Sequence, residues 1–396
     1  DSERDIPTFT LSLGDSIVTG SGKVGRVLVL PETVSQDGGL GALNGVFAHE
    51  FGHVIGLPDL YNIFTGVPQV GYWSLMDSGE NIPAIVVDPD TEEEFEVIGV
   101  FPTSFDPWCR LQAFPKGVAP FLVEELWSGA LEAVEINPQL PFVILDDFEH
   151  FLVENRSLDL DGNGFPYVRQ DPATGVFMGP VDDPERPDQG GRLEYDAVLP
   201  GGGLLVWHID DRLVLPALAD RGQVNLRTGD RGIALVEADG TWDQGRYDLG
   251  SPEDAFYLDN NPRLGPETIP PSAANDGAWS GVAIETASNP GRFMSTTIRR
   301  EGARSGWPLY LPWTAAVQTT LGGVAPLDLD GGGAEVLFGL DRLDLGEPPL
   351  RTRGVGAVKA DGTPHVSTVF AASINPLLLR IAASQDFQVR AGDGPS

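Results

Sequence analysis

The stretch GVFAHEFGHVIGLPDLYN, residues 45–62, constrains this chain more than any other, because it describes a helix with a forced end. Leu43, Val46, Phe47 and Val54 recur at helical spacing over residues 40–57, and Gly39 with Gly41 marks a loop before them. Gly56 accepts a positive φ and Pro58 restricts the residue ahead of it, so the helix stops there and the chain turns back. Positions four apart lie about 40° apart around a helix axis, so His49 and His53 project from one face. Two imidazoles at that spacing can bind one Zn²⁺. Glu50 is poorly placed to be a third ligand and well placed to act as general base on a metal-bound water. The turn at Gly56 can carry the Asp59 carboxylate back to the metal, leaving one coordination position open for hydrolysis. Without a metal, Asp59 reads as an ordinary Pro-Asp turn residue. His150 and His208 stay open as alternative ligands, each in a strand-like segment far along the chain.

Composition removes several classes of function. Asp and Glu number 58 against 25 Lys and Arg, a net charge of -33, which excludes a nucleic-acid partner and an acidic membrane surface. No apolar run approaches the roughly 18 residues of a membrane span. The single cysteine, Cys109, rules out an intrachain disulfide and reads as a small buried hydrophobe beside Trp108. The first residues, DSERDIPTFTLS, lack the pattern of a signal peptide, and the chain reads as processed or as a piece of a longer one.

Along the chain the text changes style twice. Residues 102–115 hold a second short helix. From about 120 onward short apolar runs such as PFVILDDFEHFLVEN and GLLVWHI read as strands, separated by loops rich in Gly, Pro and Asp. Residues 169–194 read as a surface insertion. EADGT (237–241) and KADGT (359–363) each suggest a hairpin turn. After about 303 come GWP, DLDGGGAE and KADGTP.

Two acidic loops carry a weaker metal signal. DLDGNG (159–164) offers Asp159, Asp161 and Asn163 at alternate positions with Gly164 at the bend, as a calcium loop does, but Gln170 stands where the bidentate carboxylate belongs. DLDGGGAE (328–335) has Gly332 at its third ligand position.

GYWSLMDSGE (71–80) sets Met76 in a polar turn downstream of Asp59. With HEFGHVIGLPDLYN it closely resembles the site of the immune-inhibitor-A-like secreted metalloproteases of bacteria, and FLVENR, LPGGGLLVWHID and LVEADG resemble that family's downstream region. The resemblance covers most of residues 40–300. It implies metzincin-like architecture, zinc held by His49, His53 and Asp59, water activated by Glu50, and Met76 as the apolar floor. Family members normally carry a longer stretch ahead of the first histidine. The expected fold is α+β: a metzincin-like zinc protease domain (1–125), a β-rich domain (126–303), and a partial β-propeller-like segment (304–396). The expected function is a secreted zinc-dependent endopeptidase acting on protein or peptide substrates, with Ca²⁺ as a possible second cofactor. The competing expectation is a calcium-dependent adhesion or binding protein whose zinc site is vestigial; loss of Glu50 or a ligand would favour it, and all are present.

Overall fold

The structure, a computed structural model, describes residues 8–31, 40–87, 94–162, 167–170, 177–181, 194–219, 224–227, 229, 231–241, 243–275, 277, 280–301, 317–327, 335–344, 350–358 and 364–370. It divides into two compact units, Asp1–Glu301 and Gly302–Ser396. The whole is mixed α+β and rich in strand.

The first unit begins with an antiparallel hairpin, Phe9–Thr19 against Gly22–Val29. Helix α1, Leu43–Ile55, follows. A small three-stranded sheet flanks it, in the order Leu40–Gly41, Glu94–Ile98, Pro83–Val87. Helix α2, Pro107–Ala113, starts where the sequence dictates: Pro107 needs no amide partner in the first turn, and the Asp106 carboxylate accepts the Cys109 amide at 2.9 Å. Cys109 itself is buried.

The centre of the unit is a five-stranded sheet ordered Ile233–Leu235, Gly203–Asp210, Glu149–Arg156, Gln139–Ile144, Ala119–Leu122. Its pairs are antiparallel except the last, which is parallel. The two middle strands are buried at every position, their polar residues included, and their apolar runs fit burial on both faces. Strand period two sends their side chains alternately to two cores. Leu152, Leu205, Trp207 and Ile209 pack with Leu60, Trp73, Met76, Trp108 and Cys109. Phe151, Val153, Leu204 and Val206 pack with Leu131, Val282, Ile284, Met294 and Ile298, which belong to a second sheet. That sheet is ordered Arg263–Leu264, Val282–Thr286, Phe293–Arg300, Leu126–Glu132. Helix α3, Asp211–Ala219, follows directly on the central strand that ends at Asp210.

The EADGT segment does not make a hairpin. Among the described residues Ile233–Leu235 pairs only with Gly203–Asp210, and Gly240 turns the chain away at φ 74°. At the start of the 169–194 stretch, Tyr167–Gln170 pairs with Phe177–Val181. The second unit contains a four-stranded antiparallel meander, Val317–Leu327, Glu335–Asp344, Leu350–Val358 and Pro364–Phe370 in sheet order. The loop 328–334 and the KADGT turn lie outside the described residues, as does Asn163.

Candidate metal centre

Helix α1 is amphipathic in the reverse of the usual sense. Its buried residues are Gly45, Val46, His49, Glu50 and Gly52. Phe47, expected on the inner stripe, is 50% exposed, and Phe51 is 47% exposed with its ring stacked on that of Phe47. Charged and imidazole side chains turned inward while phenylalanines face out run against the transfer preferences of both types, so packing alone does not set this orientation. The inner face carries Val46, His49 and Glu50, with His53 half-buried beside them, and glycines that admit the Glu80 backbone and the Met76 side chain.

The helix ends as its sequence demands. Gly56 adopts φ 105°, its amide reaches the carbonyls of Gly52 and His53, and the Leu57 amide returns to Gly52. Arg26 of the N-terminal hairpin donates Nη1 to the His53 and Val54 carbonyls, each at 2.7 Å, and so neutralises the negative end of the helix.

This stop returns Asp59 to the histidines. Nε2 of His49 lies 3.1 Å from Asp59 Oδ1, and Nε2 of His53 lies 3.0 Å from the same oxygen. The opposite ring nitrogens are tied down: Nδ1 of His49 donates to the Leu75 carbonyl at 2.8 Å, and Nδ1 of His53 to that of Leu57 at 2.9 Å. With Nδ1 of each ring donating to a carbonyl, Nε2 is the nitrogen turned to the centre, where it would ligate a metal in place of the proton it otherwise shares with Asp59. Ligands about 2 Å from a tetrahedral zinc stand about 3.3 Å apart, close to the separations here, so these residues fit that ion.

The electrostatics point the same way. Burial opposes a charge on His49, yet Asp59 and Glu80 outweigh it and raise its pKa to about 9. His53 is also raised, against its burial, by Asp59. Asp59 is held well below the usual carboxylate range: the two histidines overcome the effect of its burial. The pocket therefore favours positive charge at the point where the three side chains meet.

Glu50 is buried beside them, and its Oε2 accepts the Thr10 hydroxyl at 2.8 Å while Thr10 also reaches the Glu50 carbonyl. Met76 is wholly buried below the helix, and a Cβ on Gly52 would stand 2.5 Å from its Sδ. The turn carrying Met76 is held by Asp77, whose carboxylate accepts the amides of Gln69 and Val70, each at 2.8 Å. The Leu60 amide closes onto the Met76 carbonyl at 2.7 Å, which joins the turn to the segment bearing Asp59.

Two neighbours escaped the sequence reading. Tyr61 stacks on His49 with centroids 6.3 Å apart, and burial followed by the Asp59 charge pushes its phenol upward. Glu80 brings Oε2 to 3.8 Å from His49 Nδ1, its own carboxyl raised by burial. Tyr61 lies two positions beyond Asp59, a spacing that only an extended exit from the turn makes meaningful; Glu80 carries no local signal.

The alternative histidines lie elsewhere. His150 stacks on Phe142 at 4.4 Å, and His208 Nε2 lies 2.8 Å from Glu149 Oε2. Neither groups with His49 and His53 among the described residues. Asp159 and Asp161 do converge, and the carboxylate joining them is Glu194, which accepts the Leu160 amide at 2.9 Å. Glu237, Asp239 and Asp254 form a third such group.

Residues 21–91 match the profile of the immune inhibitor A peptidase M6 catalytic domain, a range that includes His49, Glu50, His53, Asp59 and Met76. Two proteins named pre-pro-metalloprotease PrtV, from Vibrio cholerae serotype O1 strains M66-2 and ATCC 39315 / El Tor Inaba N16961, are each 39% identical over 71 residues. That alignment covers 17% of this chain and 6% of each relative. No solved structure matches the chain. Among the described residues no helix is long and apolar enough to cross a membrane.

Proposed function

We propose that this chain is a zinc-dependent endopeptidase of the metzincin type, exported from a bacterial cell, with His49, His53 and Asp59 as the metal ligands. The observation that carries the reading is the convergence of two oriented Nε2 atoms on one half-buried carboxylate oxygen, at 3.0 and 3.1 Å, with Glu50 beside them. The match over residues 21–91 supports the same class.

Zinc, when bound, supplies Lewis acidity that polarises the scissile carbonyl. The protein supplies the rest. Leu75 and Leu57 fix the imidazole tautomers, Asp59 offsets part of the metal charge, and Met76 closes the floor against water. Glu50 takes a proton from the attacking water and returns it to the leaving amine. Its carboxylate is held by Thr10, so the N-terminal hairpin sets the orientation of the base. The four-stranded meander of the second unit has the strand number and order of one propeller blade, and we read it as such.

The adhesion alternative predicts decay at the base or a ligand, and every one of these side chains is present and in register. Glu50→Gln is the decisive variant. It is expected to bind zinc stoichiometrically by metal analysis while casein cleavage, chelator-sensitive in the parent, falls by at least roughly 10²-fold. Retained cleavage in that variant removes Glu50 from the mechanism; absence of zinc from the parent protein removes the class.

A further inference from the structure

We infer that Glu237, Asp239 and Asp254 form a second cation site, of calcium type, which braces the turn beneath the histidine centre. One oxygen from each lies within 4.8 Å of the others. Three carboxylates alone do not make a site; the hydrogen-bond inventory around them does.

Glu237 is fully buried. Its Oε2 accepts the amides of Asp243 at 2.8 Å and Gln244 at 3.3 Å, whereas Oε1 accepts no hydrogen bond. Gln244 is also fully buried; it donates Nε2 to Asp254 Oδ2 at 3.0 Å and leaves its own Oε1 without a donor. Asp239 accepts the Thr241 amide and hydroxyl and Asp254 accepts those of Ser251, so the shortfall is at Glu237 Oε1 and Gln244 Oε1, and turning the amide over only sets its oxygen against the Asp254 carboxylate. A buried acceptor left unsatisfied is destabilising, and both Glu237 and Gln244 carry one here. Among the described residues the cation paired with Glu237 is Arg231, with Nη2 at 3.7 Å from Glu237 Oε1 and Nη1 donating to the Gln69 carbonyl at 2.7 Å. That guanidinium is shared between Glu237 and Asp77. A hard divalent ion supplies what is missing, and an all-oxygen set that includes an amide suits Ca²⁺ more than zinc. Asp239 is exposed, which gives the ion a way in.

The site is joined to the turn that carries Met76. Asp254 Oδ2 also accepts the Trp73 indole Nε1 at 3.0 Å. The Tyr72 amide donates to the Leu249 carbonyl at 2.8 Å. Gly71, at φ 56°, sits so close to Leu249 that a Cβ would stand 2.5 Å from its carbonyl oxygen. A Cβ on Gly250 would stand 2.6 Å from the Trp73 indole nitrogen. An ion held by Asp254 therefore stiffens the 249–254 segment on which residues 71–73 rest.

Terbium luminescence tests this directly, because Trp73 adjoins a ligand and can sensitise a bound lanthanide. The full chain, freed of metal by chelation and carrying Asp161→Asn to silence the other acidic group, is titrated with Tb³⁺. The expected result is tryptophan-sensitised emission that Ca²⁺ displaces and equimolar Mg²⁺ does not, with a Ca²⁺-dependent rise in unfolding temperature. Glu237→Gln is expected to weaken Ca²⁺ binding on the order of tenfold or more. Asp239→Asn, at an exposed loop position, repeats the test should the buried variant fail to fold. Neither readout depends on peptidase activity. Undiminished emission in both variants overturns the site. So does a Glu237→Gln protein that is more stable than its parent and indifferent to Ca²⁺, since that result means the cluster holds a proton instead.

Discussion

Gly45 and Gly52 sit on the inner face of α1, where alanine would favour the helix by about 1 kcal/mol each. Both are there because something else occupies the space of a side chain. At Gly45 an added Cβ would meet the Glu80 carbonyl oxygen at 1.8 Å, and that atom belongs to backbone fixed by its own turn. At Gly52 the obstacle is the Met76 thioether at 2.5 Å, the far end of a flexible side chain. The two positions should therefore respond differently. Gly45→Ala is expected to lose roughly 3 kcal/mol or more of stability in urea denaturation, because backbone must move. Gly52→Ala should lose about 1 kcal/mol or less while displacing Met76, and so should weaken zinc binding more than it weakens the fold. Equal losses at the two sites would mean that Met76 is as rigid as backbone and that the floor has no give.

What could be read from the sequence depended on how far apart the partners lie. His49, His53 and Asp59 fall within eleven residues, and a helix with a glycine stop determines their meeting by local geometry alone. The strand Glu149–Arg156 is the opposite case. EHFLVENR ends in three polar residues, and each is buried. Glu154 accepts the Trp207 indole and Arg156 Nε, each at 2.9 Å, and also pairs with Arg110. Asn155 spans the carbonyls of Leu131, Gly291 and Arg292. Arg156 donates to Asp196 at 2.8 Å and to the Phe105 carbonyl at 3.1 Å. These partners are scattered along the chain, and no local pattern announces them; Glu194 joins Asp159 and Asp161 by the same kind of long-range closure. Arg156 links the central sheet to the segment that follows the Met76 turn. Replacing it by methionine keeps the bulk, leaves Asp196 buried without its counter-charge and leaves Glu154 with Arg110 alone, an expected cost of about 3–5 kcal/mol by chemical denaturation. Adding Asp196→Asn should recover part of that loss. If Arg156→Met is instead neutral, the network serves specificity of packing more than stability.

At the scale of the whole molecule the acidity of the chain, a net charge of -33, leaves its few buried histidines as prominent proton-sensitive elements of the central sheet. His150 is lowered to about 4, first by burial and then by the charge of His208; His208, lowered mainly by burial, also sits at about 4. Each is neutral in the folded protein and gains a proton more readily once unfolded. The stability they contribute is therefore complete above about pH 6.5 and is lost as pH falls through about 4. For His150 alone the interval corresponds to on the order of 3 kcal/mol. Two buried carboxyls run the other way in the same range: burial raises Asp77 to about 6 and Glu237 to about 7, so their contribution declines as pH rises. Raw acid denaturation mixes these opposing trends, and the informative quantity is a difference between variants. The stability of the parent minus that of His150→Gln is expected to fall by roughly 2–3 kcal/mol between pH 7 and pH 4, and to be flat above pH 7, when followed by urea unfolding at each pH. The Asp211 carboxylate, 3.9 Å from His150 Nδ1, is the group that could upset this. If it held a proton on the imidazole in the folded state, the difference would rise on acidification, and a rising difference would show that His150 enters the sheet charged.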